Sequence, residues 1–205
     1  MIILVNFAHS LSTESQEMFD VVNNDLVYRL DSNFNASSKE IYIQPEDFPK
    51  IITTMLDHKQ FSHDLKQATM DYLKENVHYF NYYILSELAV IYAARMDIHY
   101  RKLFFERTFK DKFIKELKYL DQETFYKIMW SLVKAKAIGI DESAGSEWAQ
   151  IKEAVVTKMK DFDPKTLTDI LVLATVAKGA EGAEGMSGDL WDQVEPQVIL
   201  KMKAM

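Results

Sequence analysis

Leu120-Asp-Gln-Glu-Thr-Phe-Tyr-Lys-Ile-Met-Trp-Ser-Leu-Val-Lys-Ala135 is followed, 42 residues later, by Phe162-Asp-Pro-Lys-Thr-Leu-Thr-Asp-Ile-Leu-Val-Leu-Ala-Thr-Val-Ala177, and the two align without a gap. Leu120 meets Phe162, Asp121 meets Asp163, Thr124 meets Thr166, and Ile128 meets Ile170. An earlier copy lies 40 residues upstream, where Leu85, Leu88, Ala89 and Tyr92 face Phe125, Ile128, Met129 and Leu132. The segment in front of each copy recurs as well. Trp148, Ile151, Val155 and Met159 return 43 residues on as Trp191, Val194, Val198 and Met202, and Phe109, Phe113 and Leu117 hold the slots 42 residues before. Apolar residues three and four apart lie on one side of an α-helix, whereas a strand would alternate. The repeating unit is therefore helix, short turn, helix.

The pairs fall at roughly 61–77 with 80–96, 103–119 with 122–137, and 146–160 with 164–178, and a last helix at about 189–204 begins a further pair. Asp121 and Asp163 are residue types that accept bonds from the unpaired N–H groups of a helix start. Pro164 suits the first helical position, where its missing N–H costs nothing. Pro196 falls inside the last helix, where the lost ladder bond predicts a kink or a start delayed to about Val194. One amphipathic hairpin cannot bury its apolar side alone, so successive hairpins are expected to stack. The expected fold is all-α: an α-solenoid of antiparallel helical hairpins with a repeat of about 40–43 residues, behind an irregular N-terminal extension.

Residues 1–60 form that extension or a degenerate leading repeat, and residues 61–205 the repeat domain of three hairpins and a half-repeat. Within the extension, helices are expected at about 12–30, with Phe19, Val22, Leu26 and Leu30 on one side, and at about 46–57. Residues 31–44 read as a loop containing an extended piece at 41–43, and residues 2–5 as a lone extended segment.

The 205-residue chain is 48% apolar and 27% charged, which excludes wholesale disorder. It has no cysteine, which excludes disulfides, cysteine-ligated zinc and thiol catalysis. The net charge of −7 is opposite to that of a general nucleic-acid binder. One stretch, 95–119, carries 8 basic side chains against 4 acidic ones. The longest apolar run, about 170–177, is far short of the ~20 residues that cross a bilayer. The first basic residue is Arg29, so the start reads as neither a signal peptide nor an arginine-rich transit peptide.

Ile128-Met-Trp-Ser-Leu-Val-Lys-Ala-Lys136 resembles the Leu-Trp-Ala-x-Ala-Lys-Leu core of a helical-repeat group. That group comprises the octotricopeptide-repeat proteins and the repeats of Fas-activated serine/threonine kinase-like proteins. The resemblance spans about 61–203, with Val90 and Val172 in the tryptophan position of the other copies. It implies a mitochondrial or chloroplast setting and RNA binding or processing. It also implies the role of related arrays as subunits of mitochondrial ribosomes and respiratory assemblies.

Candidate chemistry is sparse. The histidines His9, His58, His63, His78 and His99 form no metal-binding pattern. The glycine-rich stretch 179–188 follows a helix and carries Glu181 and Glu184 but no lysine, unlike a phosphate cradle. Asp57, Asp64 and Asp71 recur at seven-residue spacing as a solvated stripe, and Ser62-His63 are neighbours in sequence only. The aromatics Tyr72, Tyr79, Phe80, Tyr82, Tyr83, Tyr92, Tyr100, Phe104 and Phe105 read chiefly as inter-helix packing. No catalytic residue, metal or cofactor is assigned, and no small-molecule substrate is expected. The expectation is a non-catalytic scaffold subunit of a larger multiprotein assembly, mitochondrial by resemblance, with the cytoplasm as the alternative compartment. Its expected contact face is Tyr100, Arg101, Lys102, Arg107 and Lys110. The alternative is an RNA-binding repeat protein using the basic patch 95–118.

Overall fold

The computed structural model describes residues 16–35, 43–57, 59, 61–137, 147–177 and 186–203. Among them there are ten α-helices and no strand. They are α1 (Gln16–Asn35), α2 (Phe48–Asp57), α3 (His63–Asn76), α4 (Tyr82–Arg95), α5 (Ile98–Phe104), α6 (Lys110–Glu116), α7 (Gln122–Lys134), α8 (Glu147–Lys158), α9 (Pro164–Ala177) and α10 (Met186–Lys203). The segment 2–5, His9, His58 and most of the stretch 179–188 lie outside the described residues. The chain divides into two compact units, Met1–Ile91 and Tyr92–Met205, and the division falls inside α4.

In the first unit, α1 packs along α3. Val22, Leu26 and Leu30 of α1 are buried, as are Leu65, Ala68, Thr69 and Leu73 of α3. The helix runs on to Asn35, so the first five residues of the expected loop 31–44 are helical. A 3₁₀ turn at Pro45–Asp47 leads into α2. Phe48 stacks on Tyr72 at 5.2 Å and meets Phe80 edge-on at 5.5 Å, which ties α2 to α3 and to the turn after it. The Tyr72 hydroxyl donates to the Ile43 carbonyl at 3.4 Å. Burial, reinforced by neighbouring Tyr79, raises the Tyr72 phenol above its ordinary pKa.

In the second unit, α6 packs on α8, α8 on α10, α7 on α9, and α9 on α10. The 3₁₀ turn Leu117–Tyr119 also packs on α8. The expected single helix at 103–119 is instead α5 and α6 joined by a π-turn, Phe105–Phe109, and it begins earlier, at Ile98. The Lys110 N–H bonds the Phe105 carbonyl across this turn. At ~100° per residue, an unbroken α-helix would spread Tyr100, Phe104, Phe105, Phe109, Phe113 and Leu117 over about 260°, and one extra residue in a turn narrows that arc to about 160°. All six are buried. The Phe104 ring then lies 4.3 Å from Tyr92 and 4.3 Å from Phe109. Each such aromatic pair adds about 0.5–1.5 kcal/mol beyond area burial.

α10 continues through Pro196 rather than starting near Val194. Pro196 is exposed, and so is Asp192, whose carbonyl loses the ladder bond to water rather than to an apolar interior.

Candidate interaction surface

The helix starts recur in the 40- and 42-residue register. The Asn81 side chain accepts from the Ile84 N–H at 2.9 Å, Asp121 from Thr124 at 3.0 Å, and Asp163 from Thr166 at 2.8 Å. Each follows a buried apolar residue, Phe80, Leu120 or Phe162. The slots four and seven residues after each cap residue are buried in every copy: Leu85 and Leu88, Phe125 and Ile128, Leu167 and Ile170. The bonds from the Thr124 and Thr166 N–H groups are the main cause holding the Asp121 and Asp163 carboxyls below the ordinary carboxylate pKa. Successive caps are also clasped together. Gln122 donates its amide to the Asp163 carboxylate, and the Asp163 N–H donates to Gln122 Oε1 at 2.8 Å.

The five residues of the expected contact face are placed differently from one another. Tyr100 is 2% exposed and belongs to the interior. Arg101 is half-buried; its Nη2 donates to the Met96 carbonyl at 2.9 Å, and its Nε is buried without a partner. Lys110 is half-buried and paired with Glu147, which ties α6 to α8. Lys102 is exposed on α5. Arg107 lies in the π-turn, and its side chain is outside the described residues. The cations that face solvent in this region include Arg95, Lys102, Lys115 and Lys118. The Lys118 ammonium stands 5.2 Å from the centre of the Tyr119 ring, and Tyr119 is 70% exposed.

Sequence reasoning did not single out Tyr119. Its signal was positional, since the residue just before the buried Phe80 and Leu120 is a tyrosine in both copies, and both Tyr79 and Tyr119 are exposed. The other aromatics divide. Tyr72, Phe80, Tyr92, Tyr100, Phe104 and Phe105 are buried, while Tyr79 and Tyr83 face solvent. Tyr92 is fully buried with its hydroxyl unpartnered, and burial, with neighbouring Tyr100 adding to it, raises its pKa far above the ordinary phenol range.

Ser62 proves to be the N-cap of α3, accepting the Leu65 N–H at 3.2 Å. Asp57, Asp64 and Asp71 are exposed, and Gln67 donates to Asp71 at 3.0 Å. Among the described residues, no three His, Cys, Asp or Glu side chains come together to hold a metal ion, and no helix is long and apolar enough to cross a membrane. An apolar cleft in the first unit is lined by Leu26, Ile43, Phe48, Ile52, Met55 and Leu65, without a charged group. No protein-family model, curated protein or solved structure matches this chain.

Proposed function

We propose that the chain is a non-catalytic α-solenoid of stacked helical hairpins that serves as a scaffold subunit of a larger multiprotein assembly, with the mitochondrion as its compartment. The observation that carries this reading is the recurrence of cap, buried apolar residue and buried helix face at offsets of 40 and 42 residues. A chain built this way makes surface in proportion to its length, and each added layer shields the apolar side of its neighbour. The packing of α6 on α8 and of α7 on α9, like helix against like helix, supports it in the second unit. The compartment rests on the resemblance of the segment 128–136 alone.

RNA binding through 95–118 has less behind it. Three of the groups that would carry it are engaged elsewhere: Tyr100 in the interior, Arg101 on the Met96 carbonyl, and Lys110 with Glu147. The scaffold reading is tested by sedimenting a gently lysed native extract, with the tagged chain followed by immunoblot. Co-migration with a large assembly is expected, together with fractionation into mitochondria. A profile confined to the monomer at native ionic strength refutes the scaffold role.

A further inference from the structure

We propose that the edge of the second unit where α6, α8 and α10 end is a docking edge for an extended acidic segment of a partner protein, held by Lys118, Lys160 and Lys203. The inference deepens the scaffold reading and rests on it. Three contacts bring these helix ends side by side. The turn Leu117–Tyr119 packs on α8. The Gln122–Asp163 clasp joins the starts of α7 and α9, just past the two turns. The Lys201 ammonium donates to the Lys160 and Phe162 carbonyls, at 2.6 Å each, and fixes the end of α10 against the α8–α9 turn. Lys118, Lys160 and Lys203 thus follow one another along one edge, with Lys115 beside the first, and all four are exposed.

Most acids on this edge are held by groups of the chain itself, although the carboxylates keep their charge. Asp121 and Asp163 accept from the N–H groups of their own helices, and Glu123 pairs with Lys127 at 2.7 Å. Glu116 is half-buried, and Asp161 stands exposed beside Lys160. Packed helices lie about 8–10 Å apart. A polyproline-II segment advances about 3.1 Å per residue and presents every third side chain on one face, so three residues cover one step between lysines. The edge therefore fits carboxylates at every third residue. Tyr119, exposed beside Lys118, offers the aromatic anchor on which protein interfaces commonly centre. A nucleic-acid strand fits less well: the chain carries a net charge of −7, and Asp161 interrupts the row, which opposes a dense polyanion more than discrete carboxylates.

The test is fluorescence anisotropy on the full chain at low salt with three labelled probes: a peptide bearing Glu at every third residue, a peptide of identical composition with contiguous Glu, and a single-stranded oligonucleotide. The spaced peptide is expected to bind about tenfold more tightly than the contiguous one and to weaken as salt rises. The triple variant Lys118→Glu, Lys160→Glu, Lys203→Glu is expected to abolish binding with an unchanged circular dichroism spectrum. If it misfolds, the triple change to Gln is read instead, with the same loss expected. Absence of peptide binding, equal binding of both peptides, tighter lysine-dependent binding of the oligonucleotide, or binding that survives the triple change overturns the docking edge. Failure here with retained co-migration of the native chain removes the docking edge and leaves the scaffold, whereas a monomeric native chain removes the scaffold whatever the peptides do.

Discussion

Asp163→Ala removes the acceptor for the Thr166 N–H at 2.8 Å and for the Thr166 hydroxyl at 3.0 Å, and it breaks one of the two bonds to Gln122. Loss of an N-cap costs about 1 kcal/mol. Loss of the exposed amide bond and of a negative charge at a helix start adds about 1 kcal/mol more. At the lower end of the range for small domains, about 4 °C per kcal/mol, the midpoint of the second unit should fall by about 8 °C. Thermal melts by circular dichroism measure this. Asp163→Asn keeps a cap acceptor and should fall by half as much or less. Gln122→Ala alone should cost about 1 kcal/mol, and the double change should fall short of the sum of the single ones, because the two side chains share a bond. The pH dependence has a definite sign. The Asp163 carboxyl is held below its ordinary pKa, so its contribution is complete above the ordinary carboxylate value and is lost as pH falls through the lowered one. The acid-side loss of stability should therefore shrink in Asp163→Asn. A midpoint shift under about 2 °C, or additivity of the two changes within about 0.3 kcal/mol, would refute the clasp as an energetic link between successive helices.

Tyr92→Phe should stabilise the protein by about 1 kcal/mol in urea unfolding, because it removes a buried hydroxyl that has no partner. Phe104→Ala should cost about 3–5 kcal/mol in the same measurement, since that ring touches Tyr92, Phe105 and Phe109 at the π-turn. Lys201→Met should cost about 1–2 kcal/mol by freeing the Lys160 and Phe162 carbonyls, and native-state hydrogen exchange should show the end of α10 opening first.

The helical class was legible in the three- and four-residue spacing of Phe125, Ile128 and Leu132 and of Leu167, Ile170 and Ala174, because burial on one side of a helix leaves that period in the sequence. The caps Asp121 and Asp163 were legible too, since few side chains satisfy a helix start. The π-turn was not. Phe104 and Phe109 are five residues apart, and an α-period reading places them on diverging faces. Their joint burial, which only the packed chain shows, is what requires the extra residue in the turn. The expected contact face was read only from a run of charge. Whether Arg101 or Lys110 reaches solvent depends on the Met96 carbonyl and on Glu147, which only the packed chain brings into reach. The end of α1 was set five residues too early because Asp31–Asn35 are poor helix formers, and they are helical through continuity with a helix already packed on α3.

At the slots buried in both, the second and third copies match in type, whereas apart from the caps Asp121 and Asp163 their outer slots largely diverge. Leu120 and Phe162, Phe125 and Leu167, and Ile128 and Ile170 occupy equal slots and are buried alike. Outside, Tyr119 is answered by Asp161, Trp130 by Val172, and Lys134 by Val176. Trp130 is half-buried whereas Val172 is exposed, so the same helical slot is covered in one copy and open in the next. An interior of one design repeated cannot tell a partner which layer it has met, because equal slots present equal chemistry. On the proposed scaffold, recognition has to be written in the outer slots and in the turns. That is where the lysine row lies, and its register is set by the same caps that hold the helices in place.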